Sequence, residues 1–255
     1  MTPARNVFRT PPGARSHTIG DVTRAGEFLR NWAYHTPRLD PETANEQIEQ
    51  AVEAFKVVHW WRDQHARPLN TASQGLRYHV GNVVEDQPQV SQRLKRVPTM
   101  VDKLERYKGN HMELGRMWDI GGVRARLPNV DAVYEVAQRL SRWKIRGKAH
   151  DYISNPKPDG YRAYHLYVEK NKRVIEIQLR TELQDTWANQ VERDGRMGAA
   201  GYKFGRGKEA VLTYYRTVSE IFAAQDAGLQ VDPALREKLN RSYDELQRIS
   251  DTQEK

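Results

Sequence analysis

Residues 161–180 read YRAYHLYVEKNKRVIEIQLR, and their alternation decides the fold. From Arg173 onward, Ile175, Ile177 and Leu179 alternate with Glu176, Gln178 and Arg180. Successive side chains of a strand point to opposite faces, so the first set lies on an apolar face and the second on a polar one. The preceding run from Tyr161 to Glu169 also reads as a strand, and the polar Lys170-Asn171-Lys172 between the two reads as a tight turn. An antiparallel hairpin is predicted.

Working outward, Val123, Ala125 and Leu127 alternate with Arg124 and Arg126 before Pro128-Asn129, which predicts a third strand. Elsewhere the period is helical. Val22, Ala25, Phe28, Leu29, Trp32 and Ala33 share one face over 21–36. Ile48, Val52, Phe55 and His59 define a second helix ending near Pro68, and Leu76, Val80, Val83 and Val84 a third that stops before Pro88. Leu94, Val97, Val101 and Leu104 continue the helical period, with Pro98 as a kink or first-turn residue. Helices are further predicted through Val133, Val136, Ala137, Leu140 and Trp143, from Glu182 towards Glu192, and over 208–226 and 233–250, with a glycine-rich loop at 195–207 and a frayed tail from Ser250. Strands are few and central while helices lie at both ends, so the fold class is α+β with one small sheet. The chain divides into a flexible arm (1–20), an N-terminal helical region (21–90), a central domain (91–207) and C-terminal helices (208–255).

The 255 residues carry a formal net charge of +8, with 38 % hydrophobic and 29 % charged residues. This supports a core and excludes collagen-like, disulfide-stapled and disordered classes. There is no cysteine, which removes thiolate metal sites and cysteine nucleophiles and fits a reducing cytoplasm. No apolar run approaches the roughly 20 residues of a membrane span. Charge is concentrated in the middle: residues 91–126 hold nine Lys/Arg against four Asp/Glu, and residues 141–180 hold ten against four. Such a segment either presents solvated basic faces or takes a partner rich in phosphate, such as a nucleotide or RNA.

Two acids stand out. Glu176 lies among hydrogen-bonding groups on the polar face of its strand, and Asp119 precedes another strand beside Gly121-Gly122, where backbone can approach a ligand. Carboxylates on adjacent strands suit a Mg²⁺ completed by phosphate oxygens and water, whereas each acid taken singly could instead pair with an arginine. Between them, Asp151 to His165 offers a cation at Lys157, an aromatic ring at Tyr161 and an imidazole at His165 along one wall. Other candidates are weaker. Gly201 to Lys208 hints at a Walker A loop but has the wrong spacing and Glu209 where a hydroxyl belongs. His59 and His65 read as ordinary helix residues, and Trp60 and Trp61 as packing groups.

The central motifs resemble the synthetase domain of the RelA/SpoT family. Arg93, Lys95, Lys103 and Arg106 match its basic motif, with Thr99 in place of a serine; Asp119, Ile120, Gly122 and Arg124 match its Asp-Ile-x-Gly-x-Arg. The run Asp151 to His165 matches a third motif, and Glu176, Ile177, Gln178, Arg180 and Thr181 a fourth. The resemblance implies a small mixed β-sheet of nucleotidyltransferase-like type and, over 91–207, a pyrophosphokinase domain that moves the β,γ-pyrophosphate of ATP to a ribose 3′ hydroxyl. It implies that Arg93 and Arg124 bind the adenine of ATP and that Lys95, Thr99, Lys103 and Arg106 bind its phosphates. Asp119 and Glu176 would be the catalytic pair holding Mg²⁺, with Glu176 activating the acceptor hydroxyl. Lys157, Tyr161, His165 and Gln178 would bind the acceptor.

Gly201 to Gly207 resembles a segment of the toxic small alarmone synthetases. That branch points to the 3′-CCA end of tRNA as acceptor, a translation-blocking toxin and a separately encoded antitoxin. Surplus cations at Arg142, Lys144, Arg146 and Lys148, and at Arg196, Lys203, Arg206 and Lys208, are candidates for RNA binding. The alternatives are a small alarmone synthetase making (p)ppGpp or (p)ppApp from GDP, GTP or adenine nucleotides, and an inactive RNA-binding module. Retention of both Asp119 and Glu176 argues against the last.

Overall fold

The computed structural model describes residues 16–35, 44–197 and 208–253. In chain order the described residues form α1 (Ile19–His35), α2 (Ala44–Asp63), α3 (Ala66–Gly81), β1 (Gln89–Leu94), α4 (Val97–Arg106), β2 (Gly121–Leu127), α5 (Val130–Leu140), β3 (His150–Asp151), β4 (Tyr164–Lys170), β5 (Arg173–Thr181), α6 (Glu182–Met197), α7 (Lys208–Asp226) and α8 (Pro233–Gln253), with two 3₁₀ turns between α4 and β2. The five strands make one sheet in the order β1-β2-β5-β4-β3. The architecture is the α+β arrangement that the alternation predicts.

The hairpin forms as read. Asn171 and Lys172, at φ 48° and 63°, are the two central residues of the turn between β4 and β5, the left-handed pair that matches the twist of a two-residue connection. Ile175, Ile177 and Leu179 are fully buried, as are Val123, Ala125 and Leu127 of β2. The first strand of the hairpin starts at Tyr164 rather than Tyr161.

Two strands escape the periodicity. Gln89–Leu94 is an edge strand in which Val90 alone is fully covered, so the helix over this stretch starts only at Val97, with Pro98 in its first turn. His150 and Asp151 pair antiparallel with His165 and Tyr164 as a two-residue edge.

By packing the chain forms two compact units, one from Met1–Ser73, Gln92–Val123 and Val168–Glu176, the other from Gln74–Ser91, Arg124–Tyr167 and Ile177–Lys255. In the first, α1, α2 and α4 close a core of Val22, Leu29, Val58, Trp61, Met100 and Leu104, with Leu114 and Ile120 beside them. Gly26 lets α1 lie flush here, because a Cβ at that position would stand 2.8 Å from Leu114 Cβ. The buried face of α2 is Ala51, Ala54, Val58 and Trp61, while the bulkier Ile48, Val52 and Phe55 are exposed. This corrects the predicted inward face: small residues allow α1 and α2 to approach closely. Trp60 packs against the core as expected.

In the second unit, Asn129 caps α5 by accepting from Ala132 N at 2.8 Å. Trp143, beyond the end of α5, fills the space left by Gly75, where a Cβ would meet its Cζ2 at 2.8 Å. Thr181 and Gln184 form a reciprocal capping box at the start of α6: Thr181 N donates to Gln184 Oε1 (3.2 Å) and Gln184 N to Thr181 Oγ1 (3.1 Å). Strand β5 therefore turns into α6 without a loop. The helix runs to Met197, five residues past the predicted end, and α8 continues to Gln253 through the start of the predicted frayed tail. The remainder of the predicted glycine-rich loop, 198–207, and the arm up to residue 15 lie outside the described residues. Among the described residues no helix is long and apolar enough to cross a membrane.

His65 is no ordinary helix residue. It sits at the corner between α2 and α3, 2 % exposed, with Nδ1 2.9 Å from Trp61 O. Burial, reinforced by the Arg173 charge and opposed by the hydrogen bond to Trp61, pushes its pKa down to about 4 from 6.5. The fold thus holds the neutral imidazole, and its contribution is complete above pH 6.5 and lost as pH falls through 4. The difference corresponds to about 3 kcal/mol. We predict that His65→Asn, which keeps an N–H donor for Trp61, flattens the fall in urea-unfolding free energy between these pH values relative to the parent; an unchanged slope would refute the assignment.

Candidate active site

In the first unit the site is built at the corner between β1 and α4. Lys95 is pinned through its backbone: its N–H donates to Ile120 O (2.8 Å) and its carbonyl accepts from Arg62 Nε (2.8 Å). Its ammonium then lies 2.8 Å from Asp119 Oδ2, and Lys103 Nζ from α4 reaches the same oxygen at 2.8 Å. All three side chains are about four-fifths buried, with 19 %, 22 % and 17 % exposed for Lys95, Lys103 and Asp119. Burial alone would raise the Asp119 pKa, but the charges and hydrogen bonds of Lys103 and Lys95 outweigh it and hold the carboxyl below its ordinary range.

The acid therefore does form salt bridges, with lysines rather than arginines. Its other oxygen differs: Oδ1 is buried and has no hydrogen-bond partner. An orphaned carboxylate oxygen of this kind is costly unless a cation takes it up. Glu176, half-buried on β5, brings its Oε2 to 3.8 Å from where a Cβ would stand at Gly122. Two hard oxygen donors, an orphaned one just before β2 and one on β5, its neighbour in the sheet, are of the type that fits a Mg²⁺. Among the described residues no cluster of three or more His, Cys, Asp or Glu offers an all-protein metal cage. Thr99, Lys103 and Arg106 follow at i, i+4 and i+7 along α4, on the face opposite Val97, Met100, Val101 and Leu104. Arg93 is exposed on the edge strand β1.

In the second unit Asp151 organises the start of the loop over 152–163. Its carboxylate accepts from Ile153 N, Ser154 N and Ser154 Oγ at 2.9, 3.1 and 2.7 Å, and from Tyr134 OH at 3.0 Å. This is a turn-forming role. Lys157 O accepts from Gly160 N (2.8 Å), closing a β-turn, and Tyr161 N donates to Asp159 Oδ1 (3.0 Å). Tyr161 precedes the strand, yet its hydroxyl is 2.7 Å from His165 Nε2, so the expected wall exists. Lys157 Nζ lies 4.5 Å from the Tyr152 ring centroid and 4.8 Å from that of Tyr161. Gln178 Oε1 accepts from Arg180 Nη2 at 2.8 Å.

Arg124 is held by Asp185 (3.0 Å) and Asn189 (3.2 Å) of α6. Arg142, Lys144, Arg146 and Lys148 are all exposed. The side chains of Arg196 and Lys208, and Lys203 and Arg206 altogether, lie outside the described residues.

Several positioning groups are missed by motif reading. Arg216 Nε donates to Pro158 O (2.6 Å), and Ser219 Oγ donates to Gly160 O (2.5 Å) while accepting from Arg162 Nε (3.2 Å). Gly160 adopts φ +93°, and a Cβ there would come within 3.1 Å of Arg216 Cα and 3.2 Å of Ser219 Cβ. Helix α7 therefore holds this loop against its own backbone, which explains the glycine.

Residues 92–196 match the family model described as "Region found in RelA / SpoT proteins". The sequence is 36 % identical over 111 residues to the GTP pyrophosphokinase YwaC of Bacillus subtilis (strain 168), covering 38 % of this chain and 52 % of that protein. The chain thus spans about half the length of that curated relative. Two solved structures share the fold. Small alarmone synthetase 1 from Bacillus subtilis bound to its product pppGpp superposes with a TM-score of 0.54 at 24 % identity, over 66 % of this chain and 94 % of that one. Small alarmone synthetase 2 from the same organism gives 0.51 at 25 % identity, over 63 % and 90 %.

Removing the Ser219 hydroxyl leaves the Gly160 carbonyl without its side-chain donor. Ser219→Ala is expected to cost about 1–3 kcal/mol of unfolding free energy. It should also speed amide hydrogen exchange across residues 155–161 while leaving α4 unchanged; exchange in the loop at the parent rate would show that α7 does not hold it.

Proposed function

We propose that the chain is a pyrophosphokinase that moves the β,γ-pyrophosphate of ATP to a ribose 3′ hydroxyl. The observation that carries this is the largely buried Asp119, with one oxygen shared by Lys95 and Lys103 and the other orphaned. Phosphoryl chemistry needs positioning and charge rather than a covalent nucleophile, and this corner supplies both. Asp119 Oδ1 and Glu176 would hold a Mg²⁺, which when bound neutralises phosphate charge. Lys95, Thr99, Lys103 and Arg106 take the phosphates of the donor, and Arg93 and Arg124 its adenine. Glu176 accepts the proton of the attacking hydroxyl. The new bond joins the acceptor 3′ oxygen to the β-phosphorus, the bond from that phosphorus to the α,β-bridging oxygen breaks, and AMP leaves.

For the acceptor, the reading is the 3′-CCA end of tRNA, with Tyr161 stacking on the terminal base and Lys157, His165 and Gln178 around it. The exposed run Arg142, Lys144, Arg146 and Lys148 supports this, because a polyanionic stem needs cations that a mononucleotide does not. On this reading the protein blocks translation in the cytoplasm and is neutralised by a separately encoded antitoxin. The second reading, a synthetase of (p)ppGpp or (p)ppApp, is favoured by the relative named GTP pyrophosphokinase.

Asp119→Asn and Glu176→Gln should each lower transfer about 10²-fold or more with the circular dichroism spectrum unchanged. A folded variant with near-parent turnover would overturn the site. Tyr161→Ala should weaken the acceptor by about 1–3 kcal/mol and ATP much less. The acceptor is decided by offering ATP labelled in its terminal phosphates to total tRNA, GDP, GTP and AMP together. Label on the 3′ adenosine of tRNA is the expected result, and label confined to free nucleotides selects the second reading.

A further inference from the structure

The second unit contains a continuous line of hydrogen bonds that the transfer chemistry does not by itself require. At one end lies a cavity of about 360 Å³ lined by Arg77, Gln89, Ser91, Arg124, Arg126 and Asp185. Three guanidiniums around one cavity suit a phosphorylated ligand. At the other end stands the aromatic wall of Tyr152, Tyr161 and His165, with ring centroids 5.3–6.0 Å apart. Asp185 and Arg180 join the two ends.

Asp185 is 8 % exposed and Arg180 is 3 % exposed. Asp185 Oδ1 accepts from Arg124 Nη1 at 3.0 Å and from Arg180 Nη1 at 3.2 Å, and its Oδ2 accepts from Asn189 Nδ2 at 2.9 Å. Arg180 Nη2 donates to Tyr161 OH at 2.6 Å and to Gln178 Oε1 at 2.8 Å. A guanidinium can only donate, so the phenolic oxygen accepts from Arg180 and its own proton is left for His165 Nε2, 2.7 Å away. The carboxylate, engaged on both oxygens, is a clamp. Its two guanidiniums share one oxygen, so displacement of either changes the field that holds the other.

We propose that Asp185 is a positioning residue that couples the two substrates, fixing Arg124 directly and Tyr161 through Arg180. The proposal rests on the reading above, in which Arg124 faces the donor and Tyr161 the acceptor. It adds that neither is set independently: loss of one carboxylate charge loosens both. A residue acting only on stability would lower the amount of active protein and so kcat, leaving both KM values in place.

The experiment compares steady-state kinetics of the full chain and Asp185→Asn, varying ATP and the accepted nucleotide or tRNA in turn. Asp185→Asn removes the carboxylate charge at constant size and leaves at most a neutral amide oxygen for two guanidiniums, and both KM values are expected to rise about tenfold, as for loss of one charge-assisted hydrogen bond. In an Arg124→Ala background it should raise the ATP KM no further, and in a Tyr161→Phe background the acceptor KM no further. A rise in only one KM, or full additivity in either background, overturns the coupling. Should Asp185→Asn fail to fold, Tyr161→Phe alone, which deletes one hydroxyl, must raise the ATP KM together with the acceptor KM; an unmoved ATP KM overturns the proposal. Absence of transfer by the parent protein with every acceptor would overturn the functional reading and the coupling with it, whereas an active parent with an unaltered Asp185→Asn removes the coupling alone.

Discussion

Each unit buries an acid between two cations, and much of the remaining geometry follows from satisfying that arrangement. Stripping water from a carboxylate costs several kcal/mol unless opposite charges stand at hydrogen-bond distance. Asp119 meets the condition with Lys95 and Lys103, and Asp185 with Arg124 and Arg180. In both cases the acid is also what permits two like charges to be buried side by side. The elements that supply the groups are consequently tied together: the β1–α4 corner to the segment before β2 in the first unit, and β2, the end of β5 and the first turn of α6 in the second. The chemistry of the cations differs. Ammonium groups are compact and can turn from a carboxylate to a phosphate, while guanidiniums are planar and hold several acceptors in fixed directions. Lysines stand at the proposed phosphates, and arginines make the frame around the aromatic wall.

The strands whose two faces differ most in polarity are legible in the sequence. β2 and β5 alternate over seven and nine residues, and both central turn residues of the hairpin are of types that tolerate or can be forced into the left-handed region. β1 is not legible, because an edge strand that buries Val90 fully and Leu94 partly has almost no apolar pattern, and Leu94 fits the helical period of the next element just as well. The inward face of α2 misleads for a related reason. Hydrophobic periodicity weights bulky side chains, but close approach of two helices selects alanines, leaving Ile48, Val52 and Phe55 outside.

Within the candidate site the two acids and the residues of the aromatic wall stand out by residue type and motif, whereas their partners do not. Lys95 lies 24 residues from Asp119, and nothing local announces their pairing. Asp185 is different: Thr181-x-x-Gln184 is a capping-box pattern directly after a strand, and it places Asp185 in the first turn of a helix within reach of Arg180. The polar face of β5 already groups Glu176, Gln178 and Arg180, so a buried arginine in need of an acid is the sign that could direct attention to Asp185.

The loop between β3 and β4 raises a further question of backbone accounting. Between β3 and β4 the chain runs from Tyr152 to Ala163 without strand or helix, and every buried carbonyl there needs a donor. Three carbonyls of the loop accept from side chains: Ile153 O from Arg162, Pro158 O from Arg216 and the buried Gly160 O from Ser219. Two of the three donors belong to α7, which begins at Lys208, beyond the end of the matched region at residue 196. Trp187 of α6 in turn ties α7 down by donating to Tyr215 O at 2.8 Å. The matched region therefore does not satisfy its own loop. The conformation that sets Lys157 and Tyr161 is completed by a helix lying outside the matched region, so variation along α7 can reshape the wall of Tyr152, Tyr161 and His165 without touching any residue of that region.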